Sequence, residues 1–300
     1  MPAESSNPPA LLLFMHIPKT AGTTLRFIVE QQYRPGNLYP IYPGHREQLD
    51  VFHAFARRQL PRAVMGHFRF GLHLRLAPLS RYVTFFRDPV DQVISHYNHL
   101  LNSDRPDHRE IVRPRGGLGQ FLVHEWARNL QTQYVTGLSA EEIDADPDEA
   151  FHTAVGILQH HFLGFGVVEK FAASVHAMAD RLGWSVPRFS ALNRSAERPR
   201  RLLRKALDRC LIDRIVQANS CDVRLHAYAS EFIRATSVPH FRQGLRFPYF
   251  FNVKSLLSRS HRQKAKDRLR MARQESVATI DKINSPAEMN RPELYPSVHR

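Results

Sequence analysis

Nine consecutive residues of this 300-residue chain bring together what an oxyanion needs: His16-Ile17-Pro18-Lys19-Thr20-Ala21-Gly22-Thr23-Thr24. Lys19 supplies a point charge, and Thr20, Thr23 and Thr24 supply hydroxyl donors. Ala21 and Gly22 are small enough to let an anion approach the backbone, whose N–H groups point at the loop where a helix begins. The residue order differs from a Walker A loop, in which Lys directly follows a Gly. Here Lys19 stands three residues before Gly22, and no Mg-binding partner follows from that geometry. The chemistry read from the loop is a cradle for a phosphate-like group.

A cradle of this kind needs a strand before it and a helix after it. Ala10 to Met15 is a continuous apolar run, as in a strand buried on both faces. From Thr24 onward, Leu25, Ile28 and Val29 recur at helical spacing. Strand, loop and helix in that order open an α/β domain. Further strands are expected at Ala63 to Met65, at Tyr82 to Phe86, and at Phe162 to Val168 with Glu169 at its end. After Phe86 comes Arg87, then Asp88 as an N-cap and Pro89 as the first helical residue. Val90, Val93, Ile94, Tyr97, Leu100 and Leu101 keep the helical period. Helices are also expected over 118–129, 148–161, 171–182, 202–218 and 222–233. The Pro- and Gly-bearing stretch 104–119 reads as a loop, and 194–201 as a basic loop. The expected fold is α/β, a P-loop-like three-layer arrangement with a central, mostly parallel sheet flanked by helices. Residues 1–9 read as a disordered lead-in, 10–236 as the domain, and 237–300 as a basic C-terminal extension.

The stretch HIPKTAGTTL (16–25) resembles the 5′-phosphosulfate loop of sulfotransferases that use 3′-phosphoadenosine-5′-phosphosulfate (PAPS). The likeness is strongest to the carbohydrate branch that includes heparan sulfate 2-O-sulfotransferase. RYVTFFRDPVDQVISHY (81–97) resembles the family's 3′-phosphate motif, a strand ending in Arg-Asp-Pro before a helix carrying Ser and then Tyr. Met65-Gly66-His67 falls where the 2-O-sulfotransferase has His-Gly-His, so one of two histidines is kept. Weaker echoes at 129–137, 164–171 and 191–195 extend the resemblance to about residues 10–235. The resemblance implies PAPS as co-substrate, no metal, and Lys19 and His67 as catalytic residues. Lys19 would neutralise charge on the bridging oxygen of the leaving nucleotide, and His67 would take the proton of the acceptor hydroxyl. Thr20, Ala21, Gly22, Thr23 and Thr24 would hold the 5′-phosphosulfate, and Arg87 and Ser95 the 3′-phosphate. The residues suit these roles: Arg offers a fork for phosphate, and Ser95 lies two helical turns after Asp88, on the same face. With Met65 in place of the first His, a Glu or Asp elsewhere stays open as the base.

The balance of 42 Lys plus Arg against 28 Asp plus Glu gives a net charge of +14, which favours a polyanionic partner without choosing one. A carbohydrate acceptor, acidic in character, fits this charge, and no nucleic acid is expected. The basic segment after Ser237 reads either as a solvated helix or tail, or as a docking segment for an acidic glycan or a membrane surface. Two cysteines exclude a disulfide framework and suit a reducing compartment. With no bilayer-spanning apolar run and no signal-like start, the expected setting is cytoplasmic. Two other classes compete: a P-loop nucleotide kinase, which would need Walker order and a Mg-binding acid, and a non-catalytic basic module for glycan or nucleic acid.

Overall fold

The computed structural model describes residues 11–34, 36–42, 61–76, 80–112, 117–185 and 202–236. The lead-in 1–9, the basic loop 194–201 and the extension 237–300 lie outside these residues. Five parallel strands form one sheet: β1 (Leu12–Met15), β2 (Leu38–Ile41), β3 (Ala63–Gly66), β4 (Arg81–Phe86) and β5 (Phe162–Val167), in the order β2-β3-β1-β4-β5.

Strand alternation divides the core into two layers. Phe14, Ala63, Met65, Val83 and Phe85 face a cluster completed by Leu25, Ile28 and Val29 of α1 (Gly22–Gln32). Val175 and Met178 join it from the helix Phe171–Leu182. Leu13, Met15, Val64, Tyr82 and Phe86 face the other layer, with Ala154, Ile157 and Leu158 of the helix Pro147–His161 and Leu225, Ala229 and Ile233 of the helix Ser220–Thr236. The central strands are therefore apolar on both faces, as the run before the loop requires. The α/β class and the flanked parallel sheet are as expected.

Asp88 caps α2 (Pro89–Leu101) by accepting from Asp91 N–H, with Pro89 in the first turn. Three local readings change. The stretch 104–119 contains the helices Pro106–Val112 and Gly117–Phe121. Pro106 opens the first, Asp107 gives its first turn an acid, and Ile111 and Val112 pack on the α2 cluster. The segment 118–129 is not one helix: His124 accepts from Trp126 N–H and starts a separate 3-10 turn, Glu125–Ala127. Likewise 202–218 divides into the turn Arg204–Ala206 and the helix Arg209–Ala218, because Asp208 caps Leu211 N–H. No helix among the described residues is long and apolar enough to cross a membrane.

Candidate active site

β1, β3 and β4 are neighbours, and each ends in a segment with chemistry: the loop 16–21 after β1, His67 after β3, Arg87 after β4. The carboxyl edge of a parallel sheet, where connections leave to either side of one strand, is where open α/β sheets bind ligands.

The loop is held in an unusual backbone conformation. Lys19 and Ala21 have φ of 68° and 62°, the left-handed region, on residues that carry a Cβ. That costs roughly 1–2 kcal/mol per residue, and such strain is characteristic of sites whose backbone is shaped for a ligand. Ala21 is also the N-cap of α1 and offers no side-chain cap, unlike Asp88 on α2. The first N–H groups of α1 thus meet no capping side chain and face the loop. Thr20 is 2% exposed and donates its hydroxyl to Ile17 O at 2.9 Å, so it braces the loop from inside and does not offer that donor to a ligand. Thr23 is exposed and Thr24 buried. At Gly22 a Cβ would lie 1.6 Å from His16 Nε2: the imidazole occupies the side-chain space that glycine leaves empty.

Arg87 is half-buried and reaches across to the loop, its Nη1 donating to Lys19 O at 3.1 Å. The two motifs singled out in the sequence therefore touch. Behind Arg87, Gln131 accepts from its N–H and donates to its C=O, both at 2.9 Å. Ser95 is half-buried two turns along α2, on the face that carries Asp88, Asp91 and Asn98. The segment after 201 lies across that face: Asn98 exchanges two 2.8 Å bonds with the Leu202 backbone, and Arg204 bonds Asp88 at 3.0 Å.

His67 is fixed from two strands. Its N–H donates to Ile41 O at 2.9 Å, and its Nδ1 lies 2.6 Å from His16 O. A carbonyl only accepts, so Nδ1 carries the hydrogen and Nε2 carries the lone pair, the form that accepts a proton. Gly66 makes this possible, since a Cβ there would sit 1.7 Å from Ile41 O. The His16 ring lies against His67 (centroids 4.3 Å, 35°), and Tyr42 stands edge-on to both, with its hydroxyl 3.3 Å from His16 Nδ1. Burial, then the charges of His67, Lys19 and Arg26, holds His16 well below the usual imidazole range, and burial pushes the Tyr42 phenol up to about 12. Both are neutral near pH 7, and His16 stands beside His67, whose own segment has Met65 in place of the first histidine.

Sequence reasoning missed the supporting residues. Gln92, fully buried one turn into α2, donates to Pro18 O at 3.1 Å and pins the loop. Asp222, also fully buried, accepts from Gln131 N–H, Thr132 N–H and the Thr132 hydroxyl at 2.7–2.9 Å, capping the helix Leu130–Thr136 that carries Gln131. Burial raises its carboxyl to about 6 against the pull of those donors. The available signal was a polar residue on an otherwise apolar helix face, as at Gln92 and Asp222.

No protein-family model and no curated protein matches the sequence. Among solved structures, the chain is similar to the mouse sulfotransferase SULT7A1 complexed with PAP, at 14% identity over 61% of each chain with a TM-score of 0.36. It is similar to a sulfotransferase from Alicyclobacillus acidocaldarius at 16% identity, over 77% of this chain and 100% of that one, with a TM-score of 0.39. A third likeness is to retinol dehydratase in complex with androsterone and inactive cofactor PAP: 13% identity, 88% of this chain and 80% of that one, TM-score 0.21. The chain thus spans less than two thirds of the length of the mouse protein.

Proposed function

We propose that this chain transfers a sulfuryl group from PAPS to a hydroxyl of a carbohydrate acceptor. The observation that carries the reading is the contact between Arg87 and Lys19 O, which joins two motifs 68 residues apart into one cationic edge. One half suits a phosphosulfate and the other a second phosphate, a pattern that a single-phosphate site would not need. The donor nucleotide would lie along this edge. Lys19 and the N-terminal N–H groups of α1 meet the charge that grows as the sulfur–oxygen bond to the leaving phosphate breaks. The acceptor oxygen forms the new bond to sulfur from the opposite side, in line. His67 Nε2 takes the hydroxyl proton, and the His16 carbonyl on Nδ1 stabilises the imidazolium that results. The reading has the reaction run without a metal, in a cytoplasmic setting, and with no nucleic-acid partner.

The test is incubation with labelled PAPS and a panel of neutral and uronate-containing glycans, alongside calorimetry with 3′-phosphoadenosine-5′-phosphate in excess chelator. Label transfer to a glycan hydroxyl, and nucleotide binding that survives the chelator, are expected. Binding of ATP only with Mg would replace this reading by the kinase alternative.

A further inference from the structure

At the amino edge of the sheet, on the side away from Lys19 and Arg87, a cleft of about 650 Å³ opens between the end of α1, the start of β1 and the end of the helix Phe171–Leu182. Its floor is aromatic. Trp184 stacks on Phe14 (5.7 Å, 26°) and meets Tyr33 edge-on (6.3 Å, 85°). Its rim is cationic. Arg34 and Arg62 are both exposed, and the backbone links them through Asn37, whose N–H donates to Arg34 O at 3.0 Å and whose C=O accepts from Arg62 N–H at 2.9 Å. Among the described residues no carboxylate lines the cleft, and neither arginine has an ion pair. Gln32 and Asn37 add side-chain amides.

We propose that this cleft docks an anionic saccharide at a site separate from the transfer edge. The chemistry of the lining selects it: an indole suits the apolar face of a sugar ring, amides suit hydroxyls as donor and acceptor, and two guanidinium forks suit carboxylate or sulfate groups. Because both arginines stay at the exposed rim, the ligand keeps its charges near water, as a chain passing over the cleft does and an engulfed anion does not. The site does not depend on the transfer reading, since it shares no residue with the loop, His67 or Arg87.

Trp184 is one of two tryptophans, so emission reports on the cleft directly. The titrants are trigalacturonate, maltotriose as its neutral counterpart, and 3′-phosphoadenosine-5′-phosphate, each at low ionic strength. The proteins are the wild type, Trp184→Phe, the Arg34→Ala/Arg62→Ala double variant and Lys19→Ala, all checked for folding by circular dichroism. Trigalacturonate is expected to change wild-type emission, and the change should vanish in Trp184→Phe. It should bind the double variant about 2- to 30-fold more weakly, the range for two exposed charge pairs, and lose affinity with salt. Lys19→Ala should bind it as the wild type does, whatever becomes of transfer. Equal affinity for maltotriose, or an unaltered response in Trp184→Phe or in the double variant, would overturn the proposal. So would nucleotide binding that depends on Arg34 and Arg62, because the cleft would then be a nucleotide site.

Discussion

Replacing Gly66 by alanine tests how His67, the proposed base, is placed. The new Cβ would lie 1.7 Å from Ile41 O, 2.5 Å from its carbonyl carbon and 2.9 Å from its Cα. All three are backbone atoms of β2, so no rotamer change relieves the clash. β2 must draw back by about 1.5 Å or more to reach ordinary contact distance, and the 2.9 Å bond from His67 N–H to Ile41 O is lost as it does so. Overpacking costs about 1–3 kcal/mol and the hydrogen bond about 1 kcal/mol, so the expected destabilisation is about 2–4 kcal/mol. For a domain of this size that lowers Tm by about 4–16 °C. Gly156 is the internal control: it lies within the helix Pro147–His161, and a Cβ there meets nothing within 4 Å. Gly156→Ala should stabilise by about 0.5–1 kcal/mol. Lys19 and Arg87 follow β1 and β4, so nucleotide affinity in folded Gly66→Ala should stay within about threefold of wild type, while single-turnover transfer falls about 10²-fold because His67, the proposed base, is displaced. Thermal melts, calorimetry and quench-flow with labelled PAPS measure the three quantities. If Gly66→Ala melts with the wild type, or loses nucleotide affinity as steeply as transfer, the reasoning about β2 and His67 is wrong.

His67→Ala, saturated with PAPS and confirmed folded, should transfer sulfate about 10²–10⁴-fold more slowly at near-normal nucleotide affinity; near-normal transfer would move the search for a base to a carboxylate. Arg87→Ala should weaken 3′-phosphoadenosine-5′-phosphate binding by about 2–4 kcal/mol, against about 0.5–1.5 kcal/mol for Ser95→Ala, both by calorimetry; a nucleotide lacking the 3′-phosphate should show little of the Arg87 effect. Lys19→Ala should reduce turnover more than affinity, because its charge is matched to one that grows in the transition state; equal losses would make it a binding residue only. At the amino edge, His73 is buried against Tyr82 with its imidazole lowered to about 4 by burial, then by His161 and Arg81. A lowered folded value means that the unfolded chain binds the proton first, so stability is intact above about pH 6.5 and declines as pH falls toward 4, by about 2–3 kcal/mol. Denaturant midpoints against pH should show that slope, and His73→Asn should flatten it.

The strands before the loop and before Arg87 were legible because they are apolar runs with no competing period: Ala10 to Met15 and Tyr82 to Phe86 admit little else. β2 was not. It reads Leu-Tyr-Pro-Ile, half-exposed, with Pro40 lacking the N–H a ladder needs, and only its place at the sheet edge makes that tolerable. The loop 16–24 was legible as residue types, and its meeting with Arg87 followed from both standing at the ends of buried strands. What Thr20 does was hidden, because a hydroxyl turned inward to Ile17 looks the same in sequence as one turned outward. The pairing of His16 with His67 was hidden as well: 51 residues separate them, and it depends on two glycines whose missing side chains make the room.

The clamp on Arg87 has a consequence in time. Gln131 grips the Arg87 backbone, and Asp222 caps the helix that presents Gln131. A ribosome adding about 5–20 residues per second completes the segments 16–25 and 81–97 well before residue 222 leaves the exit tunnel. Until the helix Ser220–Thr236 docks, the nascent chain holds 16–25 and 81–97 without the carboxylate that caps the helix behind Arg87. A premature stop between residues 97 and 222 therefore yields a polypeptide that keeps 16–25, 65–67 and 81–97 and lacks the Asp222 carboxylate behind Gln131.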